Sequence, residues 1–354
     1  MNKPILFEEY PGKDGKIGVI TLNRPEALNA LTLPMCVALE QQLSIWEEED
    51  AIKAVVIQGA GQRGFCAGGD LRVLYETKSE QVVKAKQFFC QEYRADWRVF
   101  NFPKPYIALL HGIVMGGGVG ISIPGSHRLV AEDLVWAMPE TGIGIFPDVG
   151  TSYFLIRCPG KTGLYLGLTG TRLGAADAVA LGFADAIMPR NQFAAFFDTL
   201  LATSLGDKPY SVITELMQQF VISTEPPKLS AQQKIINKCF AASSVEGIIQ
   251  GLQQQPQEWA QQTAATLLKR SPTSLKVTYR LLQPGKKLDY GDCLRTDYRL
   301  ANRFLVHPDF LEGIRAALID KDLQPHWSPN HLQQITEQDV AAFFAPLEQE
   351  LVLE

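Results

Sequence analysis

An α/β fold follows from three features of the 354-residue chain. A unit of strand, glycine-rich loop and helix recurs in the first half, its strands are short and rich in β-branched residues, and the second half is poor in glycine with apolar residues three and four apart. Ile17 to Leu22 reads as a strand, and a turn at Asn23, Arg24 and Pro25 leads into a helix over about Thr32 to Trp46, with Leu39, Leu43 and Trp46 on one face. Ala54 to Ile57 is the next strand, followed by a glycine-rich loop and a helix starting near Asp70. The pattern then repeats: Tyr106 to Leu110 is a strand, His111 to Gly118 a loop, and Val119 a helix start. Arg128 to Ala131 and Leu134 to Ala137 read as further strands, and recurrence of this kind favours parallel stacking. The expected organisation is a core over residues 1–190 and a mainly helical region over 191–354. Glu225, Pro226 and Pro227 mark a loop inside that region, read as a hinge or lid connection, and the glutamine run near Gln253 reads as a solvated helix face.

Composition narrows the function classes. The 33 Lys+Arg against 38 Asp+Glu give a net charge of -5, and 46% hydrophobic residues with 20% charged exclude disorder as the dominant state. The sum offers no general attraction for nucleic acid or an anionic membrane, so an anionic ligand must be caught locally. Cys36, Cys66, Cys90, Cys158, Cys239 and Cys293 are scattered without a Cys-x-x-Cys pair or zinc spacing, which points to a reduced compartment and to no metal. Met1 to Tyr10 resembles neither a secretory signal nor an Arg-rich transit peptide, and no apolar run reaches membrane-spanning length. The expectation is a cytoplasmic protein; a mature mitochondrial protein freed of its presequence would read the same way.

Three loops carry possible chemistry. Phe65-Cys66-Ala67-Gly68-Gly69-Asp70-Leu71 and Met115-Gly116-Gly117-Gly118-Val119-Gly120 each follow a strand and open a helix, so each aims backbone amides outward where a helix dipole adds positive potential. Two such amides converging on one point would form an oxyanion hole, whereas glycines alone would equally serve tight turns. The third loop, Ala137 to Asp148, is mostly apolar and carries Glu140 and Asp148. A carboxylate in such surroundings is costly unless used or paired, and desolvation would raise its pKa toward general acid or base work; an exposed loop would leave both facing water. The triple glycine is not followed by Lys-Ser/Thr, so it is no nucleotide P-loop.

Together, Ile20-Thr21-Leu22-Asn23-Arg24-Pro25 with Ala27-Leu28-Asn29-Ala30-Leu31, the Phe65 to Asp70 loop, the triple glycine and Pro139-Glu140 resemble the crotonase (enoyl-CoA hydratase/isomerase) superfamily in order and spacing. The resemblance implies a spiral of ββα units followed by C-terminal helices. It also implies an acyl-CoA thioester substrate held by two backbone amides, here those of Gly69 and Gly117, with Ala67 and Leu71 where the backbone meets the adenine of CoA. Hydratases of the superfamily carry a second glutamate three residues past the middle glycine, and that position is Gly120 here. The remaining pattern, with Phe146-Pro147-Asp148, Ser271-Pro272-Thr273-Ser274-Leu275-Lys276, Glu312-Gly313-Ile314-Arg315-Ala316 and Leu318-Ile319-Asp320-Lys321-Asp322, is similar to the 3-hydroxyisobutyryl-CoA hydrolase branch. In that branch Glu92 matches a substrate-contacting glutamate.

The resemblance implies thioester hydrolysis, with Glu140 activating water or attacking the carbonyl and Asp148 as its proton partner. No cofactor or metal is called for, since CoA arrives as part of the substrate and the amides give electrophilic help. An enoyl-CoA isomerase using Glu140 alone and a non-catalytic acyl-CoA binding protein are the rivals; Asp148 and Glu92 favour hydrolysis. His111 reads as a structural histidine, Cys66 as packing, and Lys276, Lys286 and Lys287 as surface lysines within possible reach of CoA phosphates. Helical apolar stripes fit a homo-oligomer or intrachain packing equally well.

Overall fold

A computed structural model describes residues 3–75, 80–223, 226–283 and 289–353. Glu225, Lys286 and Lys287 lie outside the described residues. Nine strands form in the first half: β1 (Ile5–Pro11), β2 (Lys16–Leu22), β3 (Ile52–Gly59), β4 (Gly64–Cys66), β5 (Tyr106–Leu110), β6 (Ile113–Met115), β7 (His127–Val130), β8 (Val135–Ala137) and β9 (Ala186–Ile187). A six-stranded sheet has the order β1-β2-β3-β5-β7-β9, and a three-stranded sheet the order β4-β6-β8. From β2 to β9 the large sheet is parallel, with Ile57 opposite Ile20 and Ala108.

The sequence places β2, β3, β5, β7 and β8 correctly because their apolar runs are buried on both faces. It misses β1, in which only Ile5 is buried. This strand closes the edge of the sheet antiparallel to β2, where a polar pattern is tolerated. The first helix runs Leu33–Glu48 and buries Leu39, Leu43 and Trp46, as its spacing predicts.

Three successive stretches follow one local rule. β3 in the large sheet leads to β4 in the small one and then to the helix Arg72–Tyr75; β5 leads to β6 and the helix Gly117–Gly120; β7 leads to β8 and the 3₁₀ turn Glu140–Ile143. This is the ββα spiral. After β9 every regular element among the described residues is helical.

Two compact units are interleaved along the chain. The first takes Met1–Gly69, Arg94–Trp136 and Arg172–Lys228; the second takes Asp70–Tyr93, Ala137–Thr171 and Leu229–Glu354. Helices Phe193–Ala202 and Pro209–Met217 fall after residue 190 yet belong to the first unit. They cover its sheet, setting Phe196, Leu200, Ile213 and Met217 against Val56, Leu109 and Leu129. In the second unit Phe146 stacks on Phe304 at 5.6 Å and Phe304 packs against Phe343 at 4.7 Å, which ties the loop before Asp148 to the helix Tyr290–Phe304.

Phe196 is fully buried between sheet and helix. Phe196→Ala is expected to cost about 3–5 kcal/mol, read as a lower denaturation midpoint in urea with an unchanged slope.

Candidate active site

Each turn of the spiral ends on a residue singled out in the sequence: Gly69 after β4, Gly117 after β6 and Glu140 after β8. In the first unit the two glycine loops touch. Gly68 has φ +103°, and a Cβ there would lie 3.4 Å from the Gly117 nitrogen; one on Gly118 would lie 2.5 Å from the Cys66 carbonyl oxygen. Only glycine allows this approach. As the first residue of its helix, Gly117 has an N–H with no acceptor within that helix. Among the described residues, neither it nor the Gly69 N–H donates to a turn or loop carbonyl. Two donors on touching loops suit a carbonyl oxygen that gains negative charge. Ala67 is half-buried and donates to the Leu28 carbonyl at 3.1 Å, and Leu71 is half-buried in the turn before Arg72–Tyr75.

The second unit holds the acids. Glu92, Glu140, Asp148 and Asp297 are all buried, so neither carboxylate of the apolar loop faces water. The Tyr93 hydroxyl donates to Asp148 Oδ2 at 2.7 Å, and the Gly150 amide to Asp297 Oδ2 at 2.7 Å. Glu92 Oε1, Glu140 Oε2 and Asp297 Oδ1 have no hydrogen-bond partner among the described residues. Burial, reinforced by the charge of Asp148, pushes Glu92, Glu140 and Asp297 well above the usual carboxylate range. Burial also lifts Asp148, opposed by the Tyr93 hydrogen bond, to about 6. The Tyr93 hydrogen bond thus favours the ionised form of Asp148, and the set titrates as a coupled whole.

The Glu140 turn is clasped from several sides within the same unit. Thr141 Oγ1 donates to the Leu168 carbonyl, and the Thr141 carbonyl accepts from the Ser271 amide at 3.1 Å. A Cβ on Gly313 would stand 2.1 Å from the Ile143 carbonyl oxygen, so helix Pro308–Ile314 packs backbone to backbone on the turn. Ser271 caps helix Pro272–Leu281 through the Ser274 amide and donates to Asp309 Oδ2 at 2.6 Å. The distant motifs Ser271-Pro272 and Glu312-Gly313 thus hold the segment that carries Glu140. The positive charge of Arg270 favours ionised Glu140 but does not outweigh burial.

Sequence reasoning missed Tyr93, Arg270 and Asp297. The signal for Asp297 is a carboxylate within the buried stripe Tyr290, Leu294, Asp297, Ala301 and Phe304. Three minor readings find physical settings. His111 is buried and pushed down to about 4, hence neutral. The Cys66 thiol is buried and donates to the Asn29 carbonyl. Lys276 pairs with Glu246 at 3.0 Å and donates to the Ile335 carbonyl, so its charge is already matched. No group of three or more potential metal ligands, and no helix long and apolar enough to cross a membrane, occurs among the described residues.

The enoyl-CoA hydratase/isomerase family model matches residues 17–344. The chain belongs to this family. Two curated relatives are named 3-hydroxyisobutyryl-CoA hydrolase, mitochondrial: that of Homo sapiens is 42% identical over 95% of this chain and 88% of its own length, and that of Danio rerio 40% over 98% and 90%. Among solved structures, a carnitinyl-CoA dehydratase from Mycobacterium thermoresistibile is similar with TM-score 0.90 and 36% identity, covering 100% of this chain and 99% of its own. An enoyl-CoA hydratase from Rhodobacter sphaeroides follows with TM-score 0.88 and 33% identity, covering 99% and 100%. The fold is thus the family's crotonase fold. This member carries the buried Gly120 in the helix Gly117–Gly120, a position without a side chain to move a proton.

A buried acid with a raised pKa makes the folded state hold its proton more tightly than the unfolded one. Asp148 is lifted from 3.8 to about 6, so its ionisation penalises folding increasingly as the pH rises through that range, and not below pH 4. Asp148→Asn is expected to raise the stability at pH 7 and to match the wild type at pH 4, measured by urea titration at both values. A gain that is the same at both pH values would disprove the ionisation penalty.

Proposed function

We propose that this protein hydrolyses 3-hydroxyisobutyryl-CoA to 3-hydroxyisobutyrate and CoA, a step of valine degradation. The observation that carries the reading is the buried Glu140 and Asp148 pair beside Glu92, in a family member whose relatives named above are 3-hydroxyisobutyryl-CoA hydrolases. The amides of Gly69 and Gly117 receive the thioester oxygen as it becomes an oxyanion, donors that need no reorganisation. Glu140 first gives its proton to Asp148. It then either attacks the carbonyl carbon, forming a mixed anhydride that water cleaves, or takes a proton from the attacking water. In both routes the C–S bond breaks, the thiolate takes the proton held by Asp148, and Glu140 regains a proton from water. Ala67 and Leu71 line the adenine of CoA, which enters as part of the substrate, and the reaction uses no resident cofactor or metal.

Gly120 supports hydrolysis over the dehydration and hydration chemistry named for the two structural relatives, since adding or removing water calls for a second proton-transfer side chain there. The cysteine thiols suit a reduced compartment, the cytoplasm or the mitochondrial matrix; the relatives' names place those proteins in mitochondria.

Glu140→Gln is expected to lower kcat at least ~10²-fold with Kd for the CoA ester unchanged within threefold, followed by thiol release and by calorimetry. Near-normal turnover would sink the assignment of Glu140. Glu92 is buried with one oxygen unpartnered, which supports a role in accepting from the substrate hydroxyl. The wild type should therefore cleave 3-hydroxyisobutyryl-CoA with kcat/KM at least ~10²-fold above isobutyryl-CoA, and Glu92→Ala should shrink that ratio. Equal kcat/KM for the two esters would refute the substrate while leaving a thioesterase standing.

A further inference from the structure

Asp148 sits in the segment Phe146 to Gly150, whose last two residues are both left-handed: Val149 at φ +53° and Gly150 at φ +71°. A β-branched valine rarely adopts this conformation, so the turn needs outside support. The support comes from one helix. The Tyr290 hydroxyl donates to the Val149 carbonyl at 3.2 Å, and Asp297 Oδ2 accepts from the Gly150 amide at 2.7 Å. The carbonyl and the amide belong to the same peptide group. Tyr290 and Asp297 are seven residues apart, two turns along one face of Tyr290–Phe304. The fit is close, since a Cβ on Gly150 would stand 2.2 Å from Tyr290 Cε2. The next helix starts on the same support: the Thr151 amide and hydroxyl both donate to the Asp148 carbonyl, at 3.0 and 2.7 Å.

We infer that helix Tyr290–Phe304 positions the reacting carboxylate Asp148 by gripping the Val149–Gly150 peptide at both ends, with Asp297 as the acceptor and Tyr290 as the donor. This rests on the thioesterase reading for its consequence, not for its geometry. Asp297 does not touch the substrate. It is a positioning residue, and the uncompensated Oδ1 is the cost of an acceptor at that point in an apolar stripe. Without the grip, the peptide can flip, which turns Asp148 away from the Tyr93 hydroxyl and changes its acidity. The groups that bear on Asp148 are Glu92 and Tyr93 from helix Glu80–Asn101, Glu140 from its 3₁₀ turn, and Asp297 itself. Burial pushes Asp297 toward its neutral form, so Asn, which keeps an acceptor oxygen and carries no charge, is its closest substitute.

The test compares Asp297→Ala, Asp297→Asn and Tyr290→Phe with the wild type by thiol release from 3-hydroxyisobutyryl-CoA and by carboxyl-carbon NMR titration of Asp148, assigned with Asp148→Asn. Asp297→Ala should lower kcat at least 20-fold with KM within threefold and move the Asp148 midpoint by at least half a pH unit. Asp297→Asn should recover kcat to within threefold of the wild type and restore the midpoint. Tyr290→Phe should lower kcat three- to tenfold at unchanged KM. The proposal is overturned if Asp297→Ala keeps its kcat or its Asp148 midpoint, or if Asn is as impaired as Ala. Should Asp297→Ala not fold, Tyr290→Phe decides, and an unmoved kcat with an unmoved midpoint overturns the proposal. A wild type that releases no thiol refutes the thioesterase reading alone, and the NMR midpoints, which need no substrate, then decide the grip.

Discussion

The hydrogen bond from the Tyr93 hydroxyl to Asp148 Oδ2 is buried, 2.7 Å long and made to one member of a set of four buried carboxyl groups. Four charges cannot coexist in such a place, so most of the set keeps its protons. A donor aimed at one carboxylate favours the ionised form of that group. Tyr93 itself stays a donor, because burial and the surrounding acids raise its own pKa. The charge on Asp148, on which the proposed chemistry depends, is therefore supported by this hydroxyl and the helix that presents it.

Holding acids at fixed places in an apolar interior requires rigid backbone, which explains why glycine marks so many points of close approach. Gly313 lets a helix lie against the Ile143 carbonyl behind Glu140, and Gly150 makes room for the Tyr290 ring beyond Asp148. Supporting residues come from far along the chain, at 271, 290, 297, 309 and 313, while the residues they support lie between 140 and 150. The helical C-terminal region is thus part of the scaffold of the acid loop in the second unit, whereas the helices just after residue 190 serve the sheet of the first.

Much of this was legible in the sequence, for reasons tied to particular residues. Strands such as Tyr106–Leu110 are buried on both faces and show as unbroken apolar runs, and the Leu39, Leu43 and Trp46 spacing marks a helix face. Glu140 and Asp148 stood out because acids in an apolar loop demand a reason. Strand β1 was hidden because an edge needs little burial, and β4 and β6 because each is a three-residue strand inside a stretch that its glycines mark as a loop. Tyr93 and Asp297 were hidden by their helices: a buried tyrosine is ordinary, and an acid on a helix is usually solvated. Only the phase of Asp297 within its buried stripe separated it from a surface carboxylate, and its partner Gly150 lies 147 residues away in sequence.

The reach of the proposed mechanism follows from the resting state of the acids. The proposed mechanism starts from ionised Asp148 and protonated Glu140, one mobile proton and one negative charge, which is the complement a thioester cleavage consumes and restores. Transfer of the proton from Glu140 to Asp148 moves the charge between coupled groups without changing their sum, so it costs far less than creating a new buried charge. Arg270 acts on the donating side of that transfer, since its positive charge favours ionised Glu140. Cleavage of the C–S bond then uses the proton parked on Asp148, and attack by water returns one to Glu140. A site with a glutamate alone would lack a buried acceptor for the Glu140 proton and a donor for the leaving thiolate. That is the physical reason for a second carboxylate whose charge acts on the first, and for a scaffold that buries both.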